Sequence, residues 1–339
     1  MGDLLVQPLT WGSFLTFTVM AVLFLLLILG MVTYGIYFER KILGWMQLRP
    51  GPNRTGKLGL LQTVADVLKL LIKEDTIPSK ADRPLFKIAP AISFVPSFVV
   101  LATIPYTDKL YFANLDIGVL YYVALSALST IGIVLGGWAS NNKYALLGGM
   151  RSAAQLISYA VPLVISAVGV VLISGTMNMI GIVERQEGWF WNWNFLPQIL
   201  GFGVFVIAAI AELNRSPFDL PEAESELVAG YHVEYSGFRF AFYMLAEYVY
   251  MIAMSALITV LFLGGWHAPA PFLDFIPGII WFILKFCFMF FFIIWLRGTM
   301  PRIRIDQLMS LGWRVLLPLS LANIFITAIV VEIIKAING

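Results

Sequence analysis

Charge is what this sequence has least of. Of 339 residues only 12% are Asp, Glu, Lys or Arg, while 60% are hydrophobic; an average soluble domain carries about a quarter charged residues. So few charges cannot clothe a water-exposed surface of this size, so most of the surface is built for lipid. Cysteine is nearly absent. Cys287 is the only one, which excludes a disulfide within the chain. His232 and His267 are the only histidines, so an iron–sulfur cluster, which usually takes four Cys thiolates, has no ligand set here. Paired haems on His alone are disfavoured for the same reason. Any metals used in redox chemistry belong to partners. The net charge is +2 and no Lys/Arg-rich run is present, so nothing tracks a nucleic-acid backbone. A basic segment followed by a small-residue cleavage site is also missing at the start, and Phe14 onward reads as a span rather than a signal peptide.

What is present is apolar length. A bilayer core of about 30 Å needs roughly 20 mostly apolar residues per helix. Such stretches fall near Phe14–Tyr37, Leu85–Ile104, Ile117–Ala139, Leu156–Ile173, Leu196–Ala211, Phe238–Leu263, Phe275–Trp295 and Val315–Ile334, the fourth and fifth being short or interrupted. The pattern predicts an all-α membrane protein with about eight transmembrane helices, forming a single polytopic domain over residues 1–339. Lys and Arg crowd the odd loops: Arg40, Lys41, Arg49, Arg54, Lys57, Lys69, Lys73, Lys80 and Arg83 in the first, Lys143 and Arg151 in the third, Arg215 in the fifth, and Arg297, Arg302, Arg304 and Arg314 in the seventh. The even side has only Lys109, Arg185 and Lys335. The positive-inside rule therefore puts the odd loops in the cytoplasm or matrix and both termini outside.

The first loop (residues 38–84) contains an amphipathic stretch. Leu60, Leu61, Val64, Val67, Leu68, Leu71 and Ile72 recur at helical spacing, with Gln62, Asp66, Lys69 and Lys73 on the other face. Too short to span, it fits a helix lying in the headgroup plane, either packed on the bundle or roofing a cavity that opens to lipid. Just before it, Gly51-Pro52-Asn53-Arg54-Thr55-Gly56-Lys57 imitates a phosphate loop. Leu58 stands where the Mg²⁺-binding hydroxyl belongs, no strand precedes, and Pro52 has no N–H to offer, so nucleotide binding is rejected.

A second loop (212–237) gathers Glu212, Asp219, Glu222, Glu224, Glu226 and Glu234 around Arg215, its one basic residue. These acids are interleaved with Phe218, Leu220, Leu227, Val228 and Tyr231, and Pro217 and Pro221 restrict the backbone. That composition fits a partly buried cluster better than a solvated loop. Crowded carboxylates raise one another's pKa and can hold protons near neutral pH. Glu247 and Lys285 fall inside spans, where a charge costs about 2.5–3.5 kcal/mol on insertion scales and usually faces a polar interior. They serve either a proton relay or a pair locking two helices. Glu39 and Arg40, at the end of the first span, also allow a plain snorkelling pair.

Several stretches together resemble one family. Glu39-Arg40-Lys41-Ile42-Leu43-Gly44 with Gln47-Leu48-Arg49-Pro50-Gly51-Pro52-Asn53-Arg54 is similar to the first-loop signature of the H subunit of NADH-quinone oxidoreductase, equivalent to mitochondrial NADH dehydrogenase subunit 1. Ala65-Asp66-Val67-Leu68-Lys69, Ser140-Asn141-Asn142-Lys143-Tyr144, Ala211-Glu212-Leu213-Asn214-Arg215 through Leu227-Val228, Pro301-Arg302 and Asp306-Gln307-Leu308-Met309 follow in the family's order. The resemblance covers about Phe38 to Pro318. It implies the membrane subunit of complex I at the junction with the peripheral arm, with quinone as substrate and proton translocation coupled to its reduction. NADH, FMN and iron–sulfur clusters would belong to partner subunits, and this chain would bind no metal or flavin. Its neighbours would be the quinone-reducing peripheral-arm subunits and adjacent small membrane subunits, in a bacterial cell inner membrane or an organellar one. Carried over, Glu39, Arg40, Asp66 and Lys69 would line a quinone chamber with Arg49 and Arg54 nearby, and Glu212, Asp219, Glu222, Glu224, Glu226 and Glu247 would couple it to proton movement.

One position departs from the family. After Ile157-Ser158-Tyr159 it usually has a glutamate, whereas this chain has Ala160, whose methyl carries no proton. Two rival readings use the same spans: the equivalent subunit of a membrane-bound hydrogenase or formate hydrogenlyase, and a free-standing ion transporter. The full first-loop signature and the 219–227 motif favour the quinone enzyme, and no internal repeat of the transporter kind is evident.

Overall fold

The computed structural model describes residues 11–222 and 224–338, with Glu224, Ser225 and Asn338 described by backbone alone. Among these residues the regular structure is helical, without strands. The first helix, α1 (Trp11–Met46), is 36 residues long. It continues past Tyr37 because no breaker occurs until Leu48 turns left-handed (φ 55°) ahead of Pro50. Glu39 and Arg40 therefore belong to its last turns. Phe14, Leu15, Val19 and Leu23, near its other end, are exposed, as a lipid-facing helix requires.

A 3₁₀ turn at Lys57–Gly59 leads into α2 (Gln62–Ile72). Leu58 takes φ 59° in this turn. Helix α2 lies on α1 and on the later helix Gly237–Phe262 with its polar side inward: Thr63 is buried and Asp66 half-buried. Val64, Leu68, Leu71 and Ile72 point away from the bundle, 43–85% exposed. That is the wrong way round for a helix packed in water and the right way round for one resting on hydrocarbon.

Helices α3 (Arg83–Val100) and α4 (Gly118–Ala139) pack closely at Gly132, where a Cβ would come 2.5 Å from the Ser93 nitrogen. After a three-residue turn, Asn142 Oδ1 accepts the Tyr144 N–H at 2.8 Å and caps α5 (Lys143–Ser174). The fourth span is thus continuous and starts at Lys143 rather than Leu156. The sequence hid this because the first turns of α5 hold Gly148, Gly149, Ser152 and Gln155, which lower its hydropathy. All four are buried against neighbouring elements.

A short α6 (Met179–Glu184) precedes α7 (Ile199–Glu212), whose 14 residues rise about 21 Å and fall short of a bilayer core. Then come α8 (Glu224–Leu227), α9 (Gly237–Phe262), α10 (Gly278–Thr299), α11 (Ile305–Ser310) and α12 (Leu317–Asn338). A π turn over Leu311–Leu316 joins the last two, where the Leu317 N–H reaches back five residues to the Gly312 carbonyl. Pro318, with no N–H of its own, follows directly. Among the described residues seven helical stretches are long and apolar enough to cross a membrane, the last running continuously from Ile305 to Ile337; α7 is a shorter eighth. Helix α9 is the centre of the bundle, with Met251 to Phe262 all buried. Any polar group on its inner face is therefore enclosed by protein.

Candidate functional site

The acidic loop is folded inward by one amide. Gln155 Nε2, buried on α5, donates to the carbonyls of Ala211 at 2.7 Å and Phe218 at 2.8 Å, and to Asn214 Oδ1 at 3.1 Å. Asn214 takes the left-handed conformation (φ 51°) to make the turn. Phe218, Leu220, Leu227 and Tyr231 are buried, while Val228 faces outward. At Gly230 the backbone crosses itself so closely that a Cβ would lie 1.7 Å from the Pro221 carbonyl oxygen, and φ is +58°. Only glycine fits there.

This folding drives Arg215 into the protein, where its side chain is 7% exposed. One guanidinium nitrogen is 3.4 Å from Glu39 Oε1 on α1, and another is 3.6 Å from Glu247 Oε2 on α9, an ion pair rather than a close hydrogen bond. The guanidinium also lies 4.4 Å from the centre of the Tyr248 ring. Arg297, at the end of α10, donates to the same Glu39 oxygen. Burial works against the charge on Arg215, but Glu39, followed by Tyr248 and Glu247, outweighs it and holds the guanidinium charged well above its usual range.

Around this centre stand two more acids. Glu222 stands close enough to Glu247 for their carboxyls to act on each other, and Tyr231 Oη donates to Glu247 Oε1 at 3.2 Å. Burial pushes the Glu222 carboxyl up, and the charge of Asp219 adds to the shift against the pull of Glu247, Arg215 and Arg297. Asp219 is raised too, by burial first and Glu247 second, against Arg297, Arg302 and Arg215. Each has a carboxylate oxygen out of contact with solvent and without a hydrogen-bond partner. These environments favour holding a proton.

Glu212 closes α7 on the far side of a small cavity of about 30 Å³ that Glu247, Ser126, Ser129 and Tyr250 also line. Glu226 behaves differently. It is half exposed, with Arg151 at 2.6 Å and Arg302 at 3.8 Å, and the Arg151 bond holds its carboxyl below the usual range. Glu224 lies outside the residues whose side chains are described.

The expected chamber residues divide in two. Arg40 Nη1 meets Asp66 Oδ2 at 2.6 Å, joining α1 to α2. Glu39 and Arg40, adjacent on one helix, thus face different partners and do not pair with each other. Lys69, Arg49 and Arg54 are on the surface, with Arg49 donating to Gln47 at 2.6 Å. Lys285 is no partner of Glu247. Its ammonium donates to the carbonyls of Gly265 at 3.0 Å and His267 at 2.7 Å and lies 3.9 Å from the Trp193 ring centre, tying down the turn between α9 and α10.

The sequence marks Arg215 only as the loop's lone base, Arg297 only as a cation of the seventh loop and Tyr231 only as an apolar neighbour of the acids, and it does not single out Tyr248 or Gln155. The signal for Arg215 was present: one cation among six acids, on a loop continuing an apolar helix. Gln155 gave none, since its role depends on the path of the loop. Among the described residues no group of three or more His, Cys, Asp and Glu is arranged to hold a metal ion.

Residues 19–328 match the family model described as NADH dehydrogenase. Proteins named as the H subunit of NADH-quinone oxidoreductase are similar along nearly the whole chain. That of Brevibacillus brevis is 63% identical over 332 residues, 98% of each chain. That of Bacillus mycoides is 62% identical, covering 97% of this chain and 98% of its own. For Anoxybacillus flavithermus the identity is 62%, with 98% and 99% covered. Family model and relatives agree over the length that carries the buried arginine, its carboxylates and the α2 helix, and the chain belongs to the NADH dehydrogenase family, alongside the H subunits of NADH-quinone oxidoreductases.

Proposed function

We propose that this chain is the membrane subunit of NADH-quinone oxidoreductase that receives the quinone headgroup and converts its reduction into proton movement. The observation that carries the reading is the position of Arg215, ion-paired at once to Glu39 on the chamber side and Glu247 on the relay side. Quinone enters from the bilayer beside α1, α2 and α9, with Arg40 and Asp66 at the entrance and Arg49, Arg54 and Lys69 around it. Electrons come from an iron–sulfur cluster in a peripheral-arm subunit docked over the basic loops. Adding up to about two charges to a headgroup in a low-dielectric chamber shifts neighbouring carboxylates strongly. Asp219 and Glu222 take up protons first, Glu247 follows through its contact with Glu222, and Glu212 receives the proton across the small cavity. Glu226, held by two arginines, anchors the loop on the outside. Small membrane subunits adjoin the Glu212 side. The name of the relatives supports this reading over the hydrogenase one. The setting is a bacterial cell membrane, with both termini on the outer face as the distribution of Lys and Arg requires.

Replacing Glu247 by Gln in the assembled complex tests the relay. The variant keeps the Tyr231 hydrogen bond but holds no proton to pass on, and proton pumping in proteoliposomes falls by about two orders of magnitude, the scale of a lost acid–base group. Pumping at the parental rate would remove Glu247 from the path.

A further inference from the structure

Two cavities share a wall. The inner one, about 30 Å³, is the space beside Glu247 already described, and by the volume a water requires it takes about two. The outer one, about 420 Å³, is an apolar groove between α4 and α5, with Ile131, Trp138, Ile157 and Ala160 on its sides. Ile131, Trp138 and Ile157 are well exposed. The residues that line both cavities are Ser126, Leu156 and Glu212.

Of these three, Leu156 can only seal. Glu212 has one carboxylate oxygen buried without a hydrogen-bond partner, and Ser126 stands with it in the wall of both cavities. The Ser126 hydroxyl donates to the Val123 carbonyl at 3.0 Å, a bond within its own helix turn. Rotation about one side-chain torsion exchanges that bond for one to another acceptor, as serine hydroxyls in helices do. On the groove side α5 presents Ala160, whose methyl accepts nothing, while α4 presents the Thr130 hydroxyl one turn on from Ser126.

We infer that Ser126 is a hydroxyl relay that passes a proton from Glu212 in the inner cavity to the α4–α5 groove. The inference rests on the proton-coupling reading above. Protonated Glu212 gives its proton to Ser126 Oγ as the original Ser126 proton leaves for an acceptor in the groove, a water or a side chain of the subunit covering it. Glu212 is left as carboxylate, Ser126 is unchanged in charge, and rotation of its hydroxyl resets it. Glu247 then reprotonates Glu212 through the waters of the inner cavity. One proton enters, one leaves and no electron moves.

The test compares S126A and S126T with the parent in assembled complex reconstituted into vesicles, reading NADH-driven proton uptake. Loss of a hydroxyl relay lowers the pumping rate about tenfold or more in S126A, whereas S126T, which keeps the hydroxyl, holds at least about half of the parental rate. A merely structural role predicts the reverse order, since the bulkier threonine disturbs a packed wall more than alanine does. Parental pumping in S126A, or equal losses in the two variants, would overturn the inference. E247Q separates the levels: if it is silent the coupling reading fails, and if only S126A is silent the relay through Ser126 fails while the coupling reading stands.

Discussion

Arg215 is a cation held between acids from two helices in a place water does not reach. Removing one partner of such a buried network is far more damaging than removing the whole, because the remaining charges lose their compensation. Arg215→Met therefore destabilises by about 3–5 kcal/mol, seen as lost assembly or a lowered thermal midpoint of the complex, while adding Glu247→Gln recovers part of the loss. Equal midpoints for parent and Arg215→Met would show that the cluster does not bear on stability. At this scale the sequence is legible residue by residue and illegible in pairs. Every acid of the cluster is identifiable as a charge in an apolar context. The pairing of Arg215 with Glu39 spans 176 positions and exists only through the three-dimensional path of the loop. Glu222 and Glu226 make the point from the other side: four apart on one short segment, the first is enclosed beside Glu247 and the second is half exposed and held by Arg151. Spacing alone could not separate them.

Among the elements, α2 is legible from periodicity, because a repeat of apolar residues three and four apart specifies a helix with one apolar side whatever that side meets. What it meets is membrane or a neighbouring subunit rather than the bundle, since Leu68 is 53% exposed. For a helix in water, Leu68→Glu would be a surface change within about 0.5 kcal/mol. For one resting on lipid, the charge lifts the helix from the surface and, on the proposed function, disturbs the quinone entrance beside it. The expected result is a raised KM for quinone with a thermal midpoint close to the parent's, measured by quinone titration and by heating the same preparation. A large drop in midpoint with unchanged KM would instead place this face inside a protein interface. Helix α5 is less legible for an equally physical reason. Its first turns are small and polar because they lie against other protein, and hydropathy registers only the part meant for lipid.

For the whole molecule, composition is enough to give the class, because it reflects the solvent around the chain rather than its internal contacts, and the one-sided distribution of Lys and Arg carries the proposed orientation. The helix lengths hold a consequence of their own. The 36 residues of α1, 32 of α5 and 33 of the stretch from Ile305 to Ile337 rise to about 48–54 Å, well beyond a hydrocarbon layer of about 30 Å. In all three the excess lies at the same end: Phe38–Met46, the polar start of α5, and α11 with its π turn. The bundle thus stands on the basic side as a pedestal, on the order of 15–20 Å above the oil. Glu39 and its partners belong to that raised part, so on the proposed function a headgroup bound beside them climbs out of the lipid while its greasy tail stays anchored below. Affinity should then depend on tail length, KM falling as isoprene units are added and levelling once the tail bridges the height of the climb; a KM indifferent to tail length would mean that the headgroup arrives by another door.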